Sequence, residues 1–174
     1  MAHKTLIGLT ILTVASAAWG QLDADSLRVL ENRQPDNRTV IGGGNELLSA
    51  GAEAIRYGRY DDGIRLTLMG LDRPGNSDYI RAAALSNLCA AHAGKNEPDQ
   101  AIEYCAESIG INEANWRAWS NRSYAYWLKG MYREATVDLD TATSINPGAR
   151  QVAQIRGMLN EAGLRPHVIM EDHQ

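Results

Sequence analysis

Residues 82–115 read AAALSNLCAAHAGKNEPDQAIEYCAESIGINEAN, and residues 116–149 read WRAWSNRSYAYWLKGMYREATVDLDTATSINPGA. Laid over one another, the two 34-residue segments match position by position: Ser86-Asn87 on Ser120-Asn121, Cys89 on Ser123, His92 on Tyr126, Ala101 on Ala135, Cys105 on Leu139, Ile111-Asn112 on Ile145-Asn146. A fixed period of this length marks one repeated supersecondary unit, which cannot bury its apolar face alone and does so by stacking on its neighbours. Small residues at Cys89, Ser123, Ala101 and Ala135 let two helices approach closely, and Trp119, Tyr126 and Tyr132 are expected to fill the wider gaps. Asn146-Pro147 closes the second unit, because proline cannot continue a helix and pushes its predecessor toward extended geometry.

The period, with its order of large, small, aromatic and alanine positions, resembles the tetratricopeptide (TPR) repeat, a pair of antiparallel helices. The resemblance implies an all-α fold: a helical-repeat solenoid of about three helix-turn-helix repeats plus a C-terminal capping helix, seven to eight helices in all, with first helices lining a concave face. Repeat 2 is residues 82–115 and repeat 3 is residues 116–149. Repeat 1, residues 44–77, is degenerate: Gly63 stands where Ala101 and Ala135 stand, Gly70 stands where Ser108 and Ala142 do, and residues 78–81 read as a connection. Helical glycine costs roughly 1 kcal/mol relative to alanine, so this repeat is expected to loosen first. In the cap, residues 150–163, Val152, Ile155, Leu159 and Ala162 recur at helical spacing, with Gln151, Gln154, Arg156 and Glu161 off that stripe and Gly163 placed as C-cap.

The first 20 residues carry Lys4, an uncharged run from Thr5 to Trp19, and small residues at Ala15-x-Ala17 and Ala18-x-Gly20. This is signal-peptide architecture, and the run is short for a membrane span of about 20 residues. The chain is therefore expected to be secreted, with no membrane insertion after cleavage. Resemblance to small exported bacterial TPR proteins places it in the periplasm. Residues 21–43 read as a flexible lead segment, with a short helix at Asp25–Asn32, and residues 164–174 as a tail.

A net charge of −4, with no basic run, no zinc-type Cys/His spacing and no phosphate-cradling glycine loop, argues against nucleic acid and cofactors. Nor does a catalytic constellation appear. His92 falls at an aromatic packing position, and His167-x-x-x-Glu171-x-His173 in the tail is too weak a signal for a metal site. Asp61-Asp62 and Asp138-x-Asp140 read as solvated carboxylates, the latter on an outward helix face. Cys89 and Cys105 sit symmetrically about the turn of repeat 2, at one height on its two helices. Export would permit a disulfide between them; the alternative is two small buried packing residues.

The inner-face positions implied by the resemblance carry the functional expectation. They are Arg117, Ser120, Asn121, Tyr124, Trp127 and Leu128 in repeat 3, Ala83, Ser86, Asn87, Ala90, Ala93 and Gly94 in repeat 2, and Asn45, Leu48, Ser49, Ala52, Ile55 and Arg56 in repeat 1. A floor of small residues flanked by Tyr124, Trp127 and Ile55 leaves room for a peptide or helix of a partner protein. Asn87 and Asn121 are expected to hydrogen-bond its backbone and Arg117 to pair with a carboxylate. Trp119 to Tyr126 and Leu85 to His92 are similar to the TPR domains of heat-shock co-chaperones, which clamp a partner's C-terminal carboxylate. Asn87 and Arg117 match two clamp positions, but Leu48, Ala52 and Asn121 stand where the clamp has Lys, Asn and Arg, so no such clamp is expected. The expectation is a non-enzymatic adaptor with Asn87, Arg117, Asn121, Tyr124 and Trp127 as its peptide-binding groove. The alternative is a structural protein that self-associates as a homo-oligomer.

Overall fold

A computed structural model describes residues 45–164. The expected signal and lead segments, the short helix at Asp25–Asn32, and the tail residues His167, Glu171 and His173 lie outside the described residues. Among these there are seven helices: α1 (Glu46–Arg56), α2 (Tyr60–Leu71), α3 (Asp78–Gly94), α4 (Pro98–Ile111), α5 (Trp116–Leu128), α6 (Tyr132–Ile145) and α7 (Arg150–Leu164). They pair as α1 with α2, α3 with α4 and α5 with α6. The first helices α1, α3 and α5 also touch in succession, and α7 packs on α5 and α6.

One backbone device makes each pair. The three-residue turns place Gly58, Asn96 and Gly130, at one repeat position, in the left-handed region with φ of 74°, 60° and 72°. Glycine adopts this conformation without penalty, and asparagine tolerates it best among the others. The next residue of each turn then donates back to the first helix, Arg59 to Ala54, Glu97 to His92 and Met131 to Tyr126, each at 2.9 Å. That bond satisfies carbonyls otherwise orphaned at the helix end. Pro98 opens α4, where its missing N–H costs nothing, and α6 stops at Ile145 before Asn146-Pro147.

The core runs through the small positions. Cys89, Ala101, Cys105, Ala118, Ala135 and Leu139 are fully buried and continuous with Val152, Ile155 and Leu159 of α7. The structure joins Cys89 and Cys105 as a disulfide across α3 and α4, with a Cα–Cα distance of 5.3 Å. Ser108 donates to Ala82 O at 2.7 Å and Ser123 to Ala135 O at 2.6 Å, so hydroxyls in the close-packed positions are satisfied by the facing backbone.

Salt bridges along one edge repeat with the fold. Lys95, at the turn of repeat 2, lies 2.8 Å from Asp61 of repeat 1, and Lys129, at the turn of repeat 3, pairs with Asp99 of repeat 2. Lys95 also meets Glu97 at 3.0 Å, and Glu97 lies 2.8 Å from His92 Nδ1. The bond from His92, then that from Lys95, holds the Glu97 carboxyl below its ordinary value. His92 stacks on Tyr104 with ring centroids 5.2 Å apart.

Several details differ from the sequence-based expectation. Residues 78–81 are the first turn of α3 rather than a connection, because Ser77 caps that helix by accepting from Ile80 N. Gly163 lies inside α7, not at its cap. Gln151 is buried rather than off the packed stripe, and Tyr132 is exposed instead of filling a gap. Asp138 does not face outward: it is 4% exposed and takes bonds of 2.7 and 3.0 Å from Arg122 Nε and Nη2. Arg122 occupies the position of the fully buried Leu88 one repeat earlier, and a cation there needs a buried anion opposite. It is further sandwiched near Trp119 and Tyr126, 4.9 and 5.9 Å from their ring centroids.

The glycines of repeat 1 serve packing. A Cβ on Gly51 would collide with the Thr67 hydroxyl, on Gly63 with the Ile55 side chain, and on Gly70 with Leu48. The α1–α2 pair is closer than alanine would allow.

Candidate functional site

Between the first halves of α3 and α5 lies a recess of about 150 Å³. Tyr79, Ala83, Ser86 and Asn87 line it from α3, Trp116 and Arg117 from α5, and Asn112, Ala114 and Asn115 of the α4–α5 connection close one side. The walls are fixed by local structure. Asn112 Oδ1 accepts from Ala114 N at 3.1 Å, and Asn115 Nδ2 donates to Ser108 Oγ at 3.1 Å, which sets where α5 begins. Arg117 lies over the Trp116 ring, 4.4 Å from its centroid, a cation–π arrangement that orients the guanidinium beside the recess.

Asn87 and Asn121 hold the same position in successive repeats and have different surroundings. Asn121 is 2% exposed and satisfied: its Nδ2 donates to Ser86 O at 3.1 Å, and its Oδ1 accepts from Gln151 Nε2 of α7. Asn87 is equally buried, yet its Nδ2 makes no hydrogen bond; the equivalent bond to Leu48 O is not formed. A buried donor left unmade costs about 1–3 kcal/mol, so it requires a reason.

Of the five residues expected to form the groove, the recess gathers Asn87 and Arg117. Asn121 is committed to holding α3, α5 and α7 together. Tyr124 is buried and stacked on Trp127, centroids 6.0 Å apart, and burial pushes its hydroxyl pKa up. Trp127 packs partly into the core, with its Nε1 buried and unbonded. Ile55, expected at the groove wall, is instead core, packed with Ala90, Ala91, Tyr60 and Ile64, because the absent side chain of Gly63 opens a place for it. Leu48 and Ala52 are also buried, so α1 offers no polar side chain at those two positions.

Sequence reasoning missed Tyr79 and Trp116. Tyr79 was hidden by reading 78–81 as a connection; Ser77 before Asp78 is an N-cap signal that marks the earlier start. Trp116 precedes the inner-face register by one residue and enters the site through Arg117.

No protein-family model matches the chain. The structure is similar to the first TPR of Spaghetti (RPAP3) bound to the HSP90 peptide SRMEEVD, with a TM-score of 0.59 and 18% identity over 72% of this chain and 100% of that one. It is also similar to the second TPR domain of human RPAP3 in complex with the HSP70 peptide SGPTIEEVD, with a TM-score of 0.55 and 21% identity over 64% and 89% of the two chains. The fold is a TPR solenoid. In sequence, 112 residues of the chain are 30% identical to DnaJ homolog subfamily C member 3 of Bos taurus, covering 63% of this chain and 22% of that protein. The chain thus spans about a fifth of the length of the curated relatives it matches. Among the described residues no His/Cys/Asp/Glu group is placed to hold a metal, and no helix is long and apolar enough to cross a membrane.

Proposed function

We propose that this chain is a non-enzymatic TPR adaptor that binds an extended segment of a partner protein on the face formed by α3 and α5. The observation that carries the reading is Asn87: a buried amide donor without a partner, lining a recess, while its repeat-mate Asn121 is fully bonded. A peptide main chain supplies the carbonyl acceptors such a donor lacks. Peptides bound to two TPR domains of the same fold support the class of ligand. The recess is built on rigid helices, so little ordering cost falls on this side of the complex.

We further infer that the adaptor works after export, in a bacterial periplasm. The export part of the reading rests on the short apolar run after Lys4 and on the cysteine pair held at bonding distance, and the bacterial part rests on the resemblance to small exported bacterial TPR proteins alone. Fractionation of cells expressing the full chain tests it: a shortened chain outside the cytoplasm supports export, and a full-length cytoplasmic chain contradicts it.

Binding is tested by selecting displayed random peptides on the full chain, then measuring the selected peptides against Asn87→Ala. Loss of binding with unchanged helicity supports the site; binding that survives moves the ligand elsewhere. A second reading, self-association, is favoured by Leu68 and Met69, exposed side by side on α2. Light scattering over a dilution series separates it from the first, since a stable dimer supports it and a monomer does not.

A further inference from the structure

At the boundary between repeats 1 and 2, two buried side-chain groups have no hydrogen-bond partner: Thr67 Oγ1 on α2 and Asn87 Nδ2 on α3. Their counterparts one repeat later both meet backbone across the boundary between repeats 2 and 3. Asn121 Nδ2 donates to Ser86 O at 3.1 Å, and Cys105 Sγ, at the position of Thr67, lies 3.0 Å from Ala118 O. The period names the acceptors that are out of reach, Leu48 O for Asn87 and Ala84 O for Thr67. A buried polar group left unmade is costly, and two of them share one boundary.

The two edges of that boundary differ. At the turn edge it is pinned: the Tyr60 ring lies against Gly94, Ile55 packs on Ala90 and Ala91, and Lys95 lies 2.8 Å from Asp61. Thr67, Leu48 and Ala84 instead lie in the halves of their helices nearest the α2–α3 connection. That connection is the longest of the three, residues 72–77 against 112–115 and 146–149, and it holds Gly75 at a φ of 90°. Repeat 1 is itself one body, since Asn45 Nδ2 donates to Gly70 O at 2.9 Å and the glycines bring α1 close to α2.

From this asymmetry we infer that repeat 1 is a hinged unit. It pivots on the contacts of Tyr60, Ile55 and Lys95 and swings toward α3 at the connection edge. Closure delivers Leu48 O to Asn87 Nδ2 and Ala84 O to Thr67 Oγ1, and the structure holds the open form. The swing draws α1 toward α3 and narrows the concave face at one boundary only, because repeats 2 and 3 are already bonded. Two packings that differ by a pair of hydrogen bonds exchange as discrete states. An amide nitrogen carries two hydrogens, so the bond to Leu48 O leaves Asn87 a second donor, and the hinge operates with or without a ligand.

Spin labels read the swing. Cys89 and Cys105 are bonded to each other, so cysteines introduced at exposed positions are the ones labelled. Glu46→Cys with Glu113→Cys spans the connection edge from repeat 1, and Arg81→Cys with Arg150→Cys spans the boundary of repeats 2 and 3 as a control. Pulsed dipolar measurements on the full chain should give two distance maxima for the first pair and one for the second. Thr67→Val keeps the side chain's shape and removes the hydroxyl, and it should abolish the shorter maximum with helicity unchanged. Asn87→Ala should do the same; if it does not fold, Thr67→Val decides alone. A single maximum for the first pair, or two maxima that Thr67→Val leaves as they were, overturns the hinge. Two maxima in the control pair as well would spread the motion over the whole solenoid and overturn it too.

Discussion

Asn87 and Asn121 stand one repeat apart at equivalent positions, and one of them is wired into the fold while the other is not. Gln151 Nε2 bonds Asn121 Oδ1, and Asn121 in turn reaches Ser86 O at 3.1 Å, so three successive elements are tied through one amide. Asn87 has no such bond at its Nδ2. Replacement by alanine should therefore separate them. Asn121→Ala leaves Gln151 and the Ser86 carbonyl short of partners inside the protein, a loss of about 1–3 kcal/mol in denaturant unfolding. Asn87→Ala should cost less than half of that, since no bond of its Nδ2 is lost. Equal losses would make Asn87 a structural residue.

Arg122 and Asp138 form a bidentate pair with side chains 17% and 5% exposed. The Asp138 bond, as the chief cause, raises the Arg122 pKa further. Removing one partner strands a charge, so Asp138→Ala should destabilise by about 3 kcal/mol. Repeat 2 solves the same packing problem with Leu88 and Tyr104. The double variant Arg122→Leu/Asp138→Tyr should recover most of that stability, because replacing a buried pair by well-packed apolar groups is often neutral. A double variant as unstable as the single would show that the pair does more than satisfy itself.

The glycines of α1 and α2 invert an expectation from helix propensity. Gly63→Ala and Gly70→Ala would each gain roughly 1 kcal/mol on propensity alone. Their new Cβ atoms would instead meet Ile55 and Leu48, and overpacking of this kind costs about 1–3 kcal/mol. Thermal melts should show lower midpoints for both, and a raised midpoint would contradict the close helix approach.

Cys89 and Cys105 are both fully buried and separated by 16 residues. A bond closing a loop of this size stabilises by about 3 kcal/mol in the chain-entropy model. The oxidised chain should resist mild reductant while folded, and Cys89→Ser/Cys105→Ser should unfold at lower denaturant. Free thiols titrated on the unfolded, unreduced protein would refute the bond.

Acid should weaken the cluster that Glu97 makes with His92 and Lys95 at the turn of repeat 2. In the folded chain the bonds from His92 and then Lys95 hold the Glu97 carboxyl below its ordinary value. A lowered carboxyl contributes stability above the unfolded value, and that contribution disappears as pH falls through the range below about pH 4 to 5. The Lys95 ammonium, raised by its bonds to Asp61 and then Glu97, contributes below its unfolded value of about 10.4 and is lost only as alkali titrates it. Glu97→Gln should therefore flatten the acid limb of a midpoint-versus-pH profile and reduce the alkaline limb only in part, since Asp61, the larger cause, still holds Lys95. An unchanged acid limb would mean that the cluster carries no net stability.

The fold was legible because the 34-residue period and its small positions are set by how closely two helices must approach, and Ala101, Ala135 and Leu139 all lie where the period puts them. Asn87 and Arg117 were legible as inner-face positions through the resemblance to the TPR repeat, whose first helices line the concave face. What separates Asn87 from Asn121 was not, since it depends on Gln151, a residue of α7 whose side chain reaches across α5. Asp138 was misread as outward because one helix's periodicity says nothing of an arginine on its neighbour; the signal was Arg122 at a position that is leucine one repeat earlier. The glycines of repeat 1 could be read only by propensity until the distance between α1 and α2 was known.

The central claim is that the recess between α3 and α5 is a working surface, and a photo-crosslinking residue tests it most directly. It is placed at Ala83, which lines the recess, and separately at Val137, which is 64% exposed on α6 and outside the lining. Cells expressing the full chain are irradiated with and without Arg117→Gln. The account predicts a discrete protein captured from position 83, absent from position 137 and lost with Arg117→Gln. The same captures from both positions, or captures indifferent to Arg117, would contradict it.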